Sequence, residues 1–288
     1  RPPETGVPVV IHPEIAPSYA FPPGGLPAQD VDPTGTAVFT DAYAVLPAVT
    51  QRDIVTSFLP GWQGAKIWVL ARPLSGFAET FAQLAVELAP GGGSAEPEPD
   101  PGGQAAIFVA FGTLRISIGG AREEIRAGHF AYVPAGAPWE IWNTSDAPAG
   151  FHWIRKRYEP IRSLNPVEPF IRHETEVPRN AMPDCEGIWE TPRFFDPLDI
   201  RYDFHVNIVS FSPGGRIPFA ETHVMEHGLY VLQGTARYLL NTDWVEVGPG
   251  DFMWLRAFCP QACIATGDEP FRYLLYKDVN RHPALSLR

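Results

Sequence analysis

Glu221, His223 and His227 are the residues of this chain best suited to chemistry. They lie in one short stretch, Glu221-Thr222-His223-Val224-Met225-Glu226-His227-Gly228. Carboxylate and imidazole are leading ligands for divalent metals. Two local conformations compete for the stretch. On a helix, His223-Val224-Met225-Glu226-His227 matches the H-x-x-E-H pattern of a metalloprotease helix. Gly214, Gly215 and Pro218 upstream, with Gly228 and Gly234 downstream, disfavour that helix. On a strand, Glu221, His223 and His227 share parity and point to one face. The strand is the better reading, and it sends Glu226 to the opposite face, either behind the ligands or on the surface.

The elements that must carry these residues are strands. Pro 32 and Gly 26, with 45% hydrophobic, 12% aromatic and only 19% charged residues, exclude collagen-like, coiled-coil and mainly disordered chains. The same composition favours many short strands joined by turns. A length of 288 residues suggests two domains. The net charge of −11, with no run of Lys or Arg, argues against nucleic-acid and anionic-membrane partners. Three cysteines, Cys185, Cys259 and Cys263, form no disulfide framework and point to a reducing, cytoplasmic compartment. Cys259 and Cys263 read as small buried apolar residues. No apolar stretch approaches the ~20 residues of a membrane span. Arg1-Pro2-Pro3-Glu4 has no signal-peptide pattern, although a chain that does not begin with Met leaves open a removed targeting segment.

A pass along the chain gives a Pro-rich N-terminal arm over residues 1–35, strand-like runs over 36–160, a Pro-containing linker over 161–200, and strand-like runs again over 201–288. Residues 90–104 read as an acidic, turn-forming loop. The second half repeats the first. Gly112-Thr113-Leu114-Arg115 pairs with Gly234-Thr235-Ala236-Arg237, Gly128-His129-Phe130 with Gly250-Asp251-Phe252, and Phe151–Arg155 with Tyr273–Lys277. Each pair is separated by 122 positions, which argues for two copies of one β domain.

Glu221-x-His223-x3-His227-x6-Gly234 resembles the first cupin motif, with Glu and the last His exchanged. Gly250-x5-Arg256-x-Phe258-x2-Gln261 keeps the length of the second motif and puts Gln261 in the fourth ligand position. In the first half, Gly128-x5-Pro134-x-Gly136-x2-Trp139 keeps the frame with Trp in that slot, and the offset carries the other ligand positions onto Pro99, Pro101 and Ala105. The chain therefore resembles a bicupin with one live site. Such a protein is all-β, with two antiparallel jelly-roll-like barrels, the N-terminal one lacking metal ligands. The Glu-His-His-Gln set, followed by Tyr273 through Arg281, looks like the (S)-ureidoglycine aminohydrolase family, also labelled glyoxylate-induced proteins.

That resemblance implies Mn²⁺ at Glu221, His223, His227 and Gln261. A mixed carboxylate, imidazole and amide set suits Mn²⁺ or Fe²⁺, with Zn²⁺ as a further alternative. It also implies hydrolysis of (S)-ureidoglycine to ureidoglycolate and ammonia in purine degradation through allantoin. Lys277, Tyr238 and Tyr273 match substrate positions, with Lys277 the single fixed cation for the carboxylate and Glu221 a second candidate for a catalytic role. The expected partner is a small-molecule substrate, and a homo-oligomer is expected of a bicupin. The competing functions are a cupin dioxygenase or oxalate-type enzyme, and a non-catalytic ligand-binding bicupin. Gln261 and the missing third His count against the first. The retained ligands and the absence of a DNA-binding module count against the second.

Overall fold

The structure is a computed structural model that describes residues 15–26, 37–53, 56–73, 77–185, 187–278 and 281. Among these the chain is built of β-strands, with two short 3-10 turns at Ala48–Thr50 and Glu174–Glu176 and no α-helix. Among the described residues no helix is long and apolar enough to cross a membrane. One sheet gathers strands of the first half around Ala82–Ser94, Gly103–Phe111 and Ala149–Arg157. A second is centred on Phe204–Phe211, Phe271–Asp278, His227–Gln233 and Phe252–Leu255. A third, small sheet of Asp243–Val247, Thr235–Leu240 and Gln261–Thr266 closes the second barrel. All strand pairs are antiparallel.

Alternation along the strands separates three cores. In the second barrel, Leu229, Val231, Tyr273, Val209 and Phe211 turn inward and meet Tyr238, Leu240 and Cys263 of the small sheet. In the first barrel, Ile107, Val109, Phe151, Trp153 and Trp139 fill the interior. The opposite faces of the two large sheets pack on each other. Phe108, Phe130, Tyr132 and Phe81 from one half meet Phe204, Tyr230, Leu274 and Tyr276 from the other. Phe81 stacks on Tyr276 at 4.0 Å between centroids. At roughly 25 cal/mol per Å² of apolar surface removed from water, this joint is a main source of cohesion between the halves.

The internal repeat appears in the backbone. Gly112 and Gly234 have φ of 75° and 72°. A Cβ on Gly234 would lie 2.3 Å from the Pro270 carbonyl oxygen, so glycine is required at that turn.

Three sequence expectations are corrected. The segment 161–200 is not a free linker. Phe170–His173 pairs with His129–Val133 at the edge of the first sheet, while Arg179–Ala181 and Trp189–Pro192 extend the second. The boundary at residue 36 also fails, because Tyr43–Leu46 pairs with Phe252–Leu255 in the second sheet. Each half thus donates or shares edge strands, an arrangement that no local pattern encodes. Finally, the loop expected over 90–104 is shorter. The strand Ala82–Ser94 runs through Pro90 and the glycines, then changes partner from Ala149–Arg157 to Trp139–Trp142. A proline and glycines are tolerated there because the strand bends where it switches. Of the Pro-rich arm, 15–26 lie across the joint, with Tyr19 and Phe21 packed on Phe108 and Trp68; residues 1–14 and 27–36 lie outside the described residues.

Candidate metal and substrate site

Glu221 and Gln261 face each other across an antiparallel bridge at the rim of the small sheet. Each backbone N–H donates to the other's carbonyl at 2.9 Å. Directly opposed residues of such a pair send their side chains to the same face. On the facing sheet, His227 opens its strand opposite Lys277, and Lys277 lies opposite His205. His227 and Lys277 are therefore lateral neighbours pointing into the barrel.

Only His227 of the three sequence candidates sits in a regular strand. Glu221 is held by its isolated bridge and His223 lies in the connecting loop. Shared parity along one strand is thus not what brings them together. The loop is pinned instead by Phe258, whose N–H donates to the His223 carbonyl at 2.6 Å. Phe258 has φ of 65°, matching φ of 78° at Gly136, its counterpart in the first repeat. A non-glycine residue held in this left-handed region is strained, and the surrounding structure must maintain it.

The side chains line one cavity of about 170 Å³ together with Tyr273 and Leu275. Glu221, His223, His227, Gln261 and Lys277 all contribute to its wall. Glu221 Oε1 lies 3.4 Å from His223 Nε2, and the His223 and His227 rings are 5.1 Å apart. Tyr238 is not at the wall. It is fully buried behind Gln261, and its hydroxyl donates to Gln261 Oε1 at 2.9 Å. Tyr273 does reach the cavity. Burial, then His223 and Lys277, push the pKa of His227 down to about 3, which keeps its imidazole neutral. Burial and nearby Arg193 lower that of Lys277, while Glu221 opposes them. Cys259 and Cys263 are buried in the barrel interior, and burial raises both thiol pKa values, so they stay protonated and apolar in character.

Glu226 is neither on the surface nor merely behind the ligands. It is 5% exposed. Its carboxylate accepts from Glu79 N at 2.5 Å, from Thr80 N at 2.9 Å, from Thr80 Oγ1 at 2.5 Å and from Trp254 Nε1 at 2.6 Å. Its own N–H donates to Asp278 Oδ1 at 2.6 Å. The loop between His223 and His227 is thereby tied to the first half of the chain and to the strand carrying Lys277. Arg193 and Asn207 also line the cavity and were not singled out in the sequence. Arg193 lies in the segment read as linker, and Asn207 sits among apolar residues of a core strand, so neither carries a local signal. In the first barrel, Trp139 packs edge-on against Trp153 at 5.8 Å, as expected of a residue plugging that interior.

Among the described residues no three His, Cys, Asp or Glu side chains already converge into a cage. However, His227 is 4% exposed and its imidazole makes no hydrogen bond with any described residue. Its ring lines the cavity with no protein partner, which leaves a nitrogen lone pair for a ligand. Two imidazoles, an acidic side chain and an amide oxygen lining one cavity fit a hard or borderline ion.

Comparison with known proteins agrees with this architecture. The cupin domain family matches residues 84–155 and 207–276. A relative from Oryza sativa subsp. japonica, named "probable (S)-ureidoglycine aminohydrolase", is 30% identical over 281 residues, spanning 95% of this chain and 82% of the relative. The (S)-ureidoglycine aminohydrolase of Escherichia coli (strain K12) is 27% identical over 236 residues, 81% of this chain and 88% of that protein. The crystal structure of a glyoxylate-induced protein from Pseudomonas aeruginosa superposes with a TM-score of 0.87 at 56% identity, covering 94% of this chain and 99% of that one. With this identity and coverage over both barrels, the chain belongs to the (S)-ureidoglycine aminohydrolase family of two-cupin proteins.

Proposed function

We propose that this chain is an enzyme that hydrolyses (S)-ureidoglycine to (S)-ureidoglycolate and ammonia, a step of purine degradation through allantoin. In that reaction the bond from the α-carbon to the amine breaks. Water supplies the hydroxyl, and the amine leaves as ammonia. Family membership supports the reaction. The observation in the fold that carries it is one small cavity with the metal-ligand side chains and Lys277 on its walls.

Glu221, His223, His227 and Gln261 would hold a divalent ion, Mn²⁺ in the first instance and Fe²⁺ or Zn²⁺ as alternatives. When bound, such an ion supplies a Lewis-acidic charge that polarises substrate heteroatoms. Lys277 meets the substrate carboxylate, which needs a compensating charge in a partly dry barrel. Tyr273 shapes the wall beside the ureido group. Tyr238 acts through Gln261, orienting its amide by the hydrogen bond to Oε1. Glu221 lines the cavity as the acidic member of the set and is a second candidate for a catalytic role. The first barrel, filled by Trp139 and Trp153, is metal-free in this reading, and it offers surface for a symmetric homo-oligomer.

The test is ammonia release from freshly generated ureidoglycine, with metal content measured on protein purified without chelator. Equal amounts of ammonia and ureidoglycolate are expected, lost on chelation and restored by Mn²⁺. No ammonia release from the metal-loaded protein would overturn the reading.

A further inference from the structure

Three residues of the second barrel form a wall between two cavities. Arg193, Asn207 and Lys277 line both the 170 Å³ cavity of the candidate site and an adjoining one of about 290 Å³. Strand register brings them together. Arg193 bridges Asn207, and Asn207 lies one inward-facing position along its strand from His205, the partner of Lys277. Asn207 and Lys277 are thus diagonal neighbours on one face, within reach of a single small ligand.

Their hydrogen-bonding state is unusual. The side chains of Arg193 and Lys277 make no hydrogen bond or ion pair with a described residue. The acids nearby are largely engaged. Asp199 is bound to Arg201 at 2.6 Å, Asp278 accepts the Glu226 N–H at 2.6 Å, and Glu221 sits beside His223 on the far wall. Asn207 is 3% exposed, and its Oδ1 is buried without a partner. Two cations outside any ion-pair contact and one orphaned acceptor are complementary to a ligand bearing a carboxylate and an N–H donor.

We infer that Arg193, Lys277 and Asn207 form a recognition subsite for small ureido carboxylates, with the two cations gripping the carboxylate and Asn207 Oδ1 accepting a ureido N–H. This rests on the function proposed above and deepens it. The carboxylate is held by a pair of cations rather than by Lys277 alone. A planar guanidinium adds a two-pronged grip that an ammonium lacks. The subsite does not require the reacting amine, so it binds the substrate skeleton without it.

N-carbamoylglycine, which has hydrogen in place of the amine, is the probe. Its binding is measured by calorimetry on the metal-loaded protein, beside ureidoglycine turnover. Arg193→Ala should weaken N-carbamoylglycine at least about tenfold and raise KM by a similar factor, with kcat changed less than about threefold. Arg193→Gln provides a second variant if alanine disturbs folding, and Arg193→Lys should recover part of the affinity. Asn207→Leu should weaken N-carbamoylglycine about fivefold yet leave glycolate, which has no ureido group, unaffected. Metal content should remain at the wild-type level in all four. Wild-type affinity for N-carbamoylglycine in Arg193→Ala and Arg193→Gln would overturn the subsite, as would equal losses for both ligands in Asn207→Leu. A protein that binds the probe in this pattern but releases no ammonia keeps the subsite and loses the proposed reaction.

Discussion

Lys277 sits on a wall whose burial already disfavours its charge. A substrate carboxylate would offset that cost, and a charge-assisted hydrogen bond of this kind contributes about 1.5–3 kcal/mol. Lys277→Ala should therefore lower kcat/KM roughly ten- to more than a hundredfold in steady-state assays while metal content stays unchanged. Lys277→Arg should rescue only part, because a fork does not replace a point charge. Unaltered turnover by the alanine variant would remove Lys277 from the pocket chemistry. His223 gives the complementary case. It lies on a loop outside the apolar core, so His223→Ala should abolish stoichiometric metal in elemental analysis and leave the thermal unfolding of the metal-free protein nearly unchanged. Full metal content in that variant would contradict its assignment as a ligand.

The loop joining Glu221 to His227 is short and has no ladder of its own, so its shape depends on what grips it. Phe258 holds one end through the His223 carbonyl and Glu226 holds the other through Glu79, Thr80 and Trp254. Glu226→Ala would leave those buried donors without an acceptor, at a cost of about 3 kcal/mol or more. The expected outcome is a lower denaturation midpoint together with weaker metal binding, since the same residue anchors both barrels and the ligand loop. Glu226→Gln should lose less, because an amide oxygen still accepts some of these bonds. If Glu226→Ala unfolds at the wild-type denaturant concentration, the strut has no energetic weight.

Across the whole molecule, the joint between barrels stores a pH dependence. His152 is fully buried there, with Nδ1 unpartnered, and burial pushes its pKa down to about 4. The unfolded chain would bind a proton near the ordinary value of about 6.5. Between these values the unfolded state holds more protons, so stability falls as pH drops through that window. From pH 7 to pH 5 this histidine alone should remove about 2 kcal/mol. Asp278 works in the opposite sense, because burial raises its folded pKa to about 6 and its protonation favours the native state as pH falls. The histidine is isolated by comparing wild type with His152→Leu in denaturant titrations at both pH values. The wild type should lose about 2 kcal/mol more than the variant, and parallel losses would refute the assignment.

What the sequence alone determined was periodic and local. The repeat and the all-β class follow from spacing and composition, and the resemblance to the cupin motifs picks out Glu221, His223, His227 and Gln261 as candidate ligands and Trp139 in the matching slot of the first half. These features are written within a few residues or at one constant offset. The tertiary structure decided what depends on strand pairing between distant segments. It carried Tyr43–Leu46 into the second sheet, turned the linker into edge strands and set Glu226 between the barrels. It also placed Tyr238 behind Gln261 and brought Arg193 beside Asn207. Each of these depends on which backbone edge finds an unpaired partner, and on which buried polar group lacks one. Both are settled only when the whole chain closes on itself.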